Sequence, residues 1–217
     1  MTNLEKEIPL FPLGAVVLFP DMPLNLRIFE ERYKQLVTDV LEAEPIFGIV
    51  LIKEGKEVGQ AAKPRAIGTI ARIIEATPLD NGNFYLSMMG LERFEIMEIV
   101  RSAPYLVAKV QMLEDTSPDV PSEILTAAQD SFSEYVRSVT AAQGGWVRGI
   151  AQEDNPVKLS YLIASTLRAE PVVKQHLLEV PSVVDRLVME TALLGQSTTR
   201  LKARALESGP ATRFSKN

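Results

Sequence analysis

The chain has 217 residues, of which 46% are hydrophobic and 24% are charged, a composition typical of a globular protein with a substantial core. Its net charge of −5 argues against broad electrostatic attraction to nucleic acid or anionic lipid, and the absence of cysteine excludes disulfides, thiol nucleophiles and cysteine-bound metals. The N-terminal residues lack the pattern of a secretory signal, and no apolar run approaches the roughly 20 residues that cross a bilayer. We therefore expect a cytoplasmic protein without a membrane segment.

The first half of the chain predicts several β-strands and one early helix. Short apolar runs bounded by Pro, Gly and Asn indicate the strands, since these residues favour turns and strand ends. The predicted strands are Ala15–Phe19, Leu24–Phe29, Ile46–Ile52, Ile67–Thr77, Phe84–Leu91, Arg93–Val100 and Leu106–Leu113. From Glu30 onward, apolar residues recur three or four positions apart, which predicts a helix. Together these elements indicate a closed or nearly closed antiparallel sheet.

Two local patterns predict how the strands connect and bend. The segment Asp80–Asn83 contains Asn-Gly, which tolerates the positive φ of tight turns and predicts a hairpin. Gly90 predicts a bend or bulge. The apolar alternation slips by one residue between Ile96 and Met97, as an extra bulge residue would produce.

The second half of the chain predicts helices. Residues 114–122 hold two prolines and no large apolar cluster, which is typical of a domain boundary. Beyond them apolar residues recur with helical spacing, and Pro156, Pro171 and Pro181 each lie where the first turn of a helix favours proline. We predict a β-rich domain at residues 1–115, a linker at 116–121, a helical bundle at 122–207 and a disordered tail at 208–217.

Three stretches make the sequence similar to the LON domain, the substrate-binding domain of Lon proteases. The most specific is IPLFPLGAVVLFPDMPLNLRIFEERY at Ile8–Tyr33, followed by GTIARI at Gly68–Ile73 and MGLERFEIMEI at Met89–Ile99. The last stretch holds a Gly, a basic residue and a Phe, Gly90, Arg93 and Phe94, in the order typical of the family. Asn25 and Arg27 depart from the family pattern, which often has Pro and His at these positions.

The resemblance extends from about residue 8 to about residue 206 and implies an α+β fold. The first part would resemble the antiparallel β pseudo-barrel of PUA domains, with one early helix, and the second part would be a C-terminal α-helical bundle. In Lon protease this region engages substrates, whereas the ATPase and protease chemistry lies in later domains. The resemblance therefore implies a stand-alone, non-catalytic module that binds polypeptide in protein quality control.

No pattern in the sequence predicts a catalytic residue, a cofactor or a metal site. The segment Gly195–Arg200 lacks the second Gly and the Lys of a nucleotide-binding P-loop. Ser160 and Ser165 lie within a predicted helix and not in a nucleophile elbow. The single histidine, His176, has no partner at metal-binding spacing, so a surface or helix-packing role is favoured.

The candidate substrate-binding residues are Met88, Trp146, Glu31 and Lys34. Met88 and Met89 lie on opposite faces of one strand, so at most one is in the core, and a surface methionine would adapt to varied apolar partners, although core or ordinary packing is favoured over a binding surface. Trp146 follows two glycines, and packing between domains is favoured over presentation from a flexible loop. For Glu31 and Lys34, ordinary solvation of a polar helix face is the alternative to a contact role.

The leading functional hypothesis is a module that binds unfolded or exposed apolar polypeptide segments in a cleft between sheet and bundle, with a separate protease or chaperone as a further partner. The alternative is RNA binding by the PUA-like sheet, against which stand the negative charge and an aromatic content of 6%. A small-molecule enzyme has no motif in its favour.

Overall fold

The computed structural model describes residues 6–55, 62–116, 119–150 and 152–207. The predicted disordered tail at 208–217 and part of the predicted linker lie outside these residues. The chain divides into two compact units, one made of residues 1–116 and 164–181 and the other of residues 117–163 and 182–217. The first unit is thus interrupted where the predicted linker begins. It is completed by a segment that the sequence assigns to the helical bundle.

The elements alternate little between strand and helix along the chain. In order they are β1 Lys6–Leu13, β2 Pro23–Ile28, α1 Glu31–Glu42, β3 Ile46–Glu54, β4 Lys63–Pro78, β5 Phe84–Arg101, β6 Leu106–Leu113, α2 Ser122–Ala142, α3 Pro156–Thr166, α4 Pro171–Glu179 and α5 Val183–Glu207. Strands followed by helices give an α+β protein, which confirms the predicted fold class.

The six described strands form one sheet that closes on itself. Their order is β2-β5-β4-β3-β1-β6, and a further pairing of β5 with β6 closes a ring of five strands, with β2 attached outside the ring to β5. The β1–β3 pair is parallel, and the other described pairs are antiparallel. The chain passes through β2 and α1 between the two parallel strands, because a parallel pair needs a long crossover.

The inside of the ring is filled by apolar side chains from all five ring strands: Ile8, Leu10, Ile46, Val50, Ile70, Phe94, Ala108 and Val110. The Phe94 ring occupies space that two glycines leave open. A Cβ atom at Gly48 or Gly68 would lie 2.6 or 2.8 Å from the Phe94 Cζ atom, so neither position has room for a side chain. Close packing of this core therefore accounts for Gly68 of the GTIARI stretch and for Phe94 of the MGLERFEIMEI stretch.

The basic residue of the same stretch, Arg93, is buried with a side chain that is 1% exposed. Its Nη1 atom donates to the carbonyl oxygens of Leu178 at 2.9 Å and Val180 at 3.3 Å, at the end of α4. Its Nη2 atom donates to the Glu114 carbonyl oxygen at 3.2 Å and to Asp115 Oδ1 at 2.9 Å, just after β6. Arg93 thus joins β5, the end of β6 and the C-terminal end of α4, where a helix favours positive charge.

The segment Ala15–Phe19 is irregular, so the strand predicted there is wrong. Val17, Leu18 and Phe19 are nonetheless buried, because the segment crosses the sheet instead of joining it. Thr69 Oγ1 donates to the Leu18 carbonyl oxygen at 2.7 Å, and the main chain at Asp21 and Met22 exchanges hydrogen bonds with Gly90. A run of apolar residues does not by itself distinguish an irregular buried segment from a strand.

The preceding residues, with Pro9 and Pro12, form β1 instead. Strand β1 pairs with β6 over Lys6–Leu10 and with β3 over Leu10–Leu13, so each proline lies where β1 has one partner. A proline can occupy such a position, because its missing N–H lies on the unpaired side of the strand.

The predicted hairpin and bulges are confirmed. Gly82 has a φ of 71°, and the Leu79 N–H donates to the Asn83 carbonyl oxygen at 2.8 Å, closing the turn between β4 and β5. The register of β5 shifts near Gly90 against β4 and next to Met97 against β6. These irregularities bend β5 without ending it, so the two predicted strands Phe84–Leu91 and Arg93–Val100 are one strand.

The second unit consists of helices, and α2 packs against α5. Asn155 caps α3, as its side-chain oxygen accepts from the Val157 and Lys158 N–H groups at 3.0 and 3.1 Å. Among the residues that the structure describes, no helix has both the length and the apolarity needed to cross a membrane.

Candidate functional site

The strand β2 lies at the open end of the sheet order. Within the described part of the chain it pairs with β5 alone, from Pro23 opposite Met89 to Ile28 opposite Phe84. Its other side is an unpaired strand edge. Leu24 and Leu26 are partly buried against the core, whereas Pro23, Asn25 and Arg27 are exposed on the opposite face. An edge of this kind presents main-chain donors and acceptors to solvent.

Four apolar residues are at least partly exposed on the face of β2, β5 and β4 that points away from the core. We call Pro23, Ile74, Tyr85 and Met89 the hairpin patch. Pro23 lies directly opposite Met89, and residues opposite each other in antiparallel strands share a face. Tyr85 is 44% exposed and Ile74 is 65% exposed. Ile74 is the extra residue where the register shifts between Ile73 and Glu75, so a bulge turns this isoleucine to the surface.

Two arginines border the hairpin patch. Arg27 lies opposite Tyr85, and Arg72 lies opposite Met89 on the other side of β5. Both are exposed, and among the described residues neither forms an ion pair. The patch is thus apolar and aromatic at its centre, and its border carries the charges of Arg27 and Arg72 and that of the exposed Glu75, which lies opposite Ser87.

A small cavity of about 50 Å³ lies at the end of β2, where the chain turns into α1. Its lining residues are mainly apolar: Phe11, Leu13, Leu26, Arg27, Ile28, Phe29, Glu30 and Tyr33. The Phe11 and Tyr33 rings stack with their centroids 4.0 Å apart and form a rigid wall. Phe29 is 55% exposed beside this cavity.

Of the predicted binding residues, Met88 is in the core with 2% of its surface exposed. The proposed surface role of Met88 is therefore wrong, and the alternative of core packing is observed, because Met88 faces α1 and its neighbours while Met89 faces outward. Glu31 and Lys34 lie together in the first turn of α1, where Lys34 Nζ is 2.8 Å from Glu31 Oε1. The Glu31 side chain is 88% exposed.

Trp146 lies in the second unit, between α2 and α3, and is 71% exposed. The favoured expectation that it is buried by packing is therefore wrong. The Arg148 guanidinium lies 5.1 Å from the centroid of the indole ring, within the range of a cation–π interaction. The structure thus places Trp146 in a different unit from Glu31 and Lys34.

The second unit also contains a buried polar cluster of Ser160, Arg186 and Glu190. Arg186 Nε donates to Ser160 Oγ at 2.5 Å, and Ser160 Oγ donates to Glu190 Oε1 at 3.0 Å. Burial raises the pKa of the Glu190 carboxyl well above its usual value of 4.5, although the charge of Arg186 and the hydrogen bond from Ser160 oppose this increase. His176 is exposed on α4, and no group of three or more potential metal ligands occurs among the described residues.

The raised pKa of Glu190 predicts that stability depends on pH. A carboxyl that binds its proton more tightly in the folded state stabilises the fold fully below its unfolded pKa, and this contribution is lost as pH rises through the folded pKa. We expect the unfolding free energy of the native chain to fall between pH 5 and pH 8 relative to that of Glu190→Gln, which stays neutral. Urea denaturation of both proteins at these pH values measures the difference, and parallel profiles would contradict the prediction.

The hairpin patch does not contain any of the binding residues predicted from the sequence. Alternation along β5 already separates Tyr85 and Met89 from Leu86 and Met88, so a signal for these two residues was present. The exposure of Ile74 depends on a bulge in β4, and no sequence pattern indicated it.

Comparison with known proteins identifies the module. The sequence matches the family described as the ATP-dependent protease La (LON) substrate-binding domain over residues 7–196. It is 29% identical over 202 residues to Lon protease of Anaeromyxobacter dehalogenans, covering 90% of this chain and 24% of that protein. It is 30% identical over 197 residues to Lon protease of Heliobacterium modesticaldum, covering 88% of this chain and 24% of that protein. The chain therefore spans about a quarter of the length of these curated relatives.

Solved structures agree with this match. A Lon N-terminal domain protein from Xanthomonas campestris has a TM-score of 0.66 at 27% identity and covers 86% of this chain and 98% of its own. The N-terminal domain of a Mycobacterium avium complex Lon protease has a TM-score of 0.66 at 16% identity, covers 88% of this chain and 98% of its own, and supports the fold alone. On its sequence and its fold, the chain belongs to the LON substrate-binding domain family.

Proposed function

We propose that this chain is a non-catalytic module that binds exposed apolar segments of polypeptide through the hairpin patch. The observation that carries the proposal is a cluster of exposed apolar side chains beside an unpaired strand edge. Apolar groups that remain exposed together on a folded protein are typical of interaction sites. Because relatives are Lon proteases, protein quality control in the cytoplasm is the proposed setting, with a separate protease or chaperone as a partner.

Polar substitutions in the hairpin patch test this proposal. We expect Ile74→Ser and Met89→Ser each to weaken binding of a labelled, permanently unfolded polypeptide by about fivefold, since each removes about 1 kcal/mol of apolar burial. Fluorescence anisotropy measures the dissociation constants.

A matched control is Val172→Ser, because Val172 is 58% exposed on α4, outside the patch. It should leave the affinity unchanged. Equal affinity of the native chain and both patch variants would reject the patch. The variant Trp146→Ser separately tests whether the exposed tryptophan contributes, and Glu31→Gln with Lys34→Gln tests the polar face of α1.

RNA binding is kept as a second candidate because Tyr85 lies opposite Arg27 on the exposed sheet face. An aromatic ring on which a base stacks and a cation beside it are features of single-strand recognition. If RNA is the ligand, affinity falls steeply with salt, and Arg27→Met with Arg72→Met removes binding. If polypeptide is the ligand, the same double variant still binds with reduced affinity, because the apolar side chains of the patch are unchanged.

A further inference from the structure

The unpaired edge of β2 offers more than an apolar surface. Strand β2 runs from Pro23 to Ile28 and, in the described residues, pairs with β5 on one side and with no strand on the other. A free edge with regularly spaced main-chain N–H and C=O groups can receive one more strand, and this is an established mode of peptide recognition. Its natural occupant is a segment of chain in the extended conformation.

A side-chain pocket adjoins this edge. The cavity of about 50 Å³ includes Leu26 and Ile28 of β2 in its wall, together with Phe11, Leu13 and Tyr33. Four of these five residues, all except Leu26, are at most 6% exposed, so the wall is fixed by the core. The apolar atoms that line an empty cavity lack dispersion contacts on that side, and an aliphatic side chain entering the cavity would supply them.

Charged groups also lie at this edge, since Arg27 and Glu30 are among the residues that line the cavity. Nearby charges neutralise each other, because Arg32 Nη2 lies 3.0 Å from Glu30 Oε2 and Lys34 Nζ lies 2.8 Å from Glu31 Oε1. Arg27 is exposed and forms no ion pair within the described residues. It therefore leaves one uncompensated positive charge on β2, which favours a carboxylate on whatever binds there.

We infer that β2 binds an extended polypeptide segment as an added strand, with an aliphatic side chain in the pocket and an adjacent Asp or Glu facing Arg27. Successive residues of a strand point to opposite faces, as Leu26 and Ile28 point inward and Arg27 outward. The aliphatic and acidic residues of the ligand must therefore be neighbours in sequence. This inference rests on the proposed polypeptide binding and specifies its geometry.

Backbone N-methylation of a labelled ten-residue peptide with a central Val-Asp pair tests strand addition on the intact chain. An added strand donates hydrogen bonds to β2 from alternate residues, so methylation at alternate positions should weaken binding about tenfold and at intervening positions about twofold or less. Equal affinity of all methylated peptides would overturn strand addition while leaving binding to the patch intact. No binding of the unmethylated peptide while the unfolded polypeptide still binds would reject this ligand geometry, whereas no binding of either would reject the proposed function.

A charge exchange tests the orientation. We expect Arg27→Glu to weaken binding of the Val-Asp peptide about tenfold and to strengthen binding of the matching Val-Lys peptide. Arg200→Glu is the matched control, because Arg200 is an exposed arginine of α5 in the second unit, which contains neither the patch nor the edge. Replacing the valine of the peptide by glycine should weaken binding about tenfold if the valine side chain enters the pocket. Equal effects of Arg27→Glu and Arg200→Glu, or equal affinity of the Gly and Val peptides, would contradict the arrangement.

Discussion

Replacing Arg93 by Met should lower the unfolding free energy by about 3–5 kcal/mol, because removing one partner of a buried ion pair leaves the other groups poorly compensated. The guanidinium donates to Asp115 and to the carbonyl oxygens of Glu114, Leu178 and Val180. Methionine has a similar length but supplies none of these hydrogen bonds. Urea denaturation followed by circular dichroism measures the loss, and hydrogen exchange should show it first in β5, β6 and α4.

The control for this prediction is Arg72→Met, the same chemical change at an exposed arginine, which should alter the free energy by less than about 0.5 kcal/mol. If Arg93→Met does not fold, Arg93→Lys keeps the charge but not the planar fork of donors, and should give a smaller, measurable loss. If the free energy lost in Arg93→Met is no larger than that lost in Arg72→Met, the hydrogen bonds of Arg93 do not hold the first unit together.

Replacing Gly90 by Ala should lower the unfolding free energy by about 3 kcal/mol, which is the upper end of the range typical for adding a group to a closely packed site. A Cβ atom there would lie 2.1 Å from the Phe19 carbonyl oxygen, which is main chain and cannot rotate away. The irregular segment Ala15–Phe19 would have to move off the sheet, and its hydrogen bond from Thr69 would weaken. Thermal and urea denaturation both measure this change.

Gly195→Ala is the control, because a Cβ at this position in α5 meets no atom within 4 Å. It should stabilise the chain by about 1 kcal/mol through helix propensity. The two glycine substitutions are therefore expected to have opposite signs. The same sign for both would contradict the close approach of Phe19 to Gly90.

The parts of the fold that follow from local chemistry could be predicted from sequence. The Asn81-Gly82 turn, the strand Leu106–Leu113 and the bulge at Met97 each depend on a few adjacent residues, and all three are observed. The start of α3 is likewise set by Asn155 and the proline that follows it.

The parts that depend on distant partners could not be predicted. Whether Pro9 and Pro12 fit a strand is decided by where β3 and β6 begin and end beside them. The helix α4 is held to the strands by Arg93, which donates to Leu178 and Val180, and by Gln175, which donates to the Ile67 carbonyl oxygen, and these partners are remote in sequence. Neither fact is visible in a local window of residues.

The candidate site shows the same limit. Alternation separated Met88 from Met89 but did not say which one faces the core, since that requires knowing where α1 packs. The open edge of β2 is a property of the strand order, which the amino-acid pattern of β2 does not carry.

The helix α4 belongs to the first unit together with the strands, and this has a consequence for synthesis on the ribosome. The six described strands are all translated before residue 116. Two of the carbonyl groups that accept from Arg93 belong to residues 178 and 180, which are translated later. At about 5–20 residues per second, this leaves an interval of roughly 3–12 s in which the ring is translated but its buried arginine lacks those acceptors. While α2 and α3 are being translated, the first unit is therefore incomplete. It can be completed only after α4, far downstream in the sequence, has been translated.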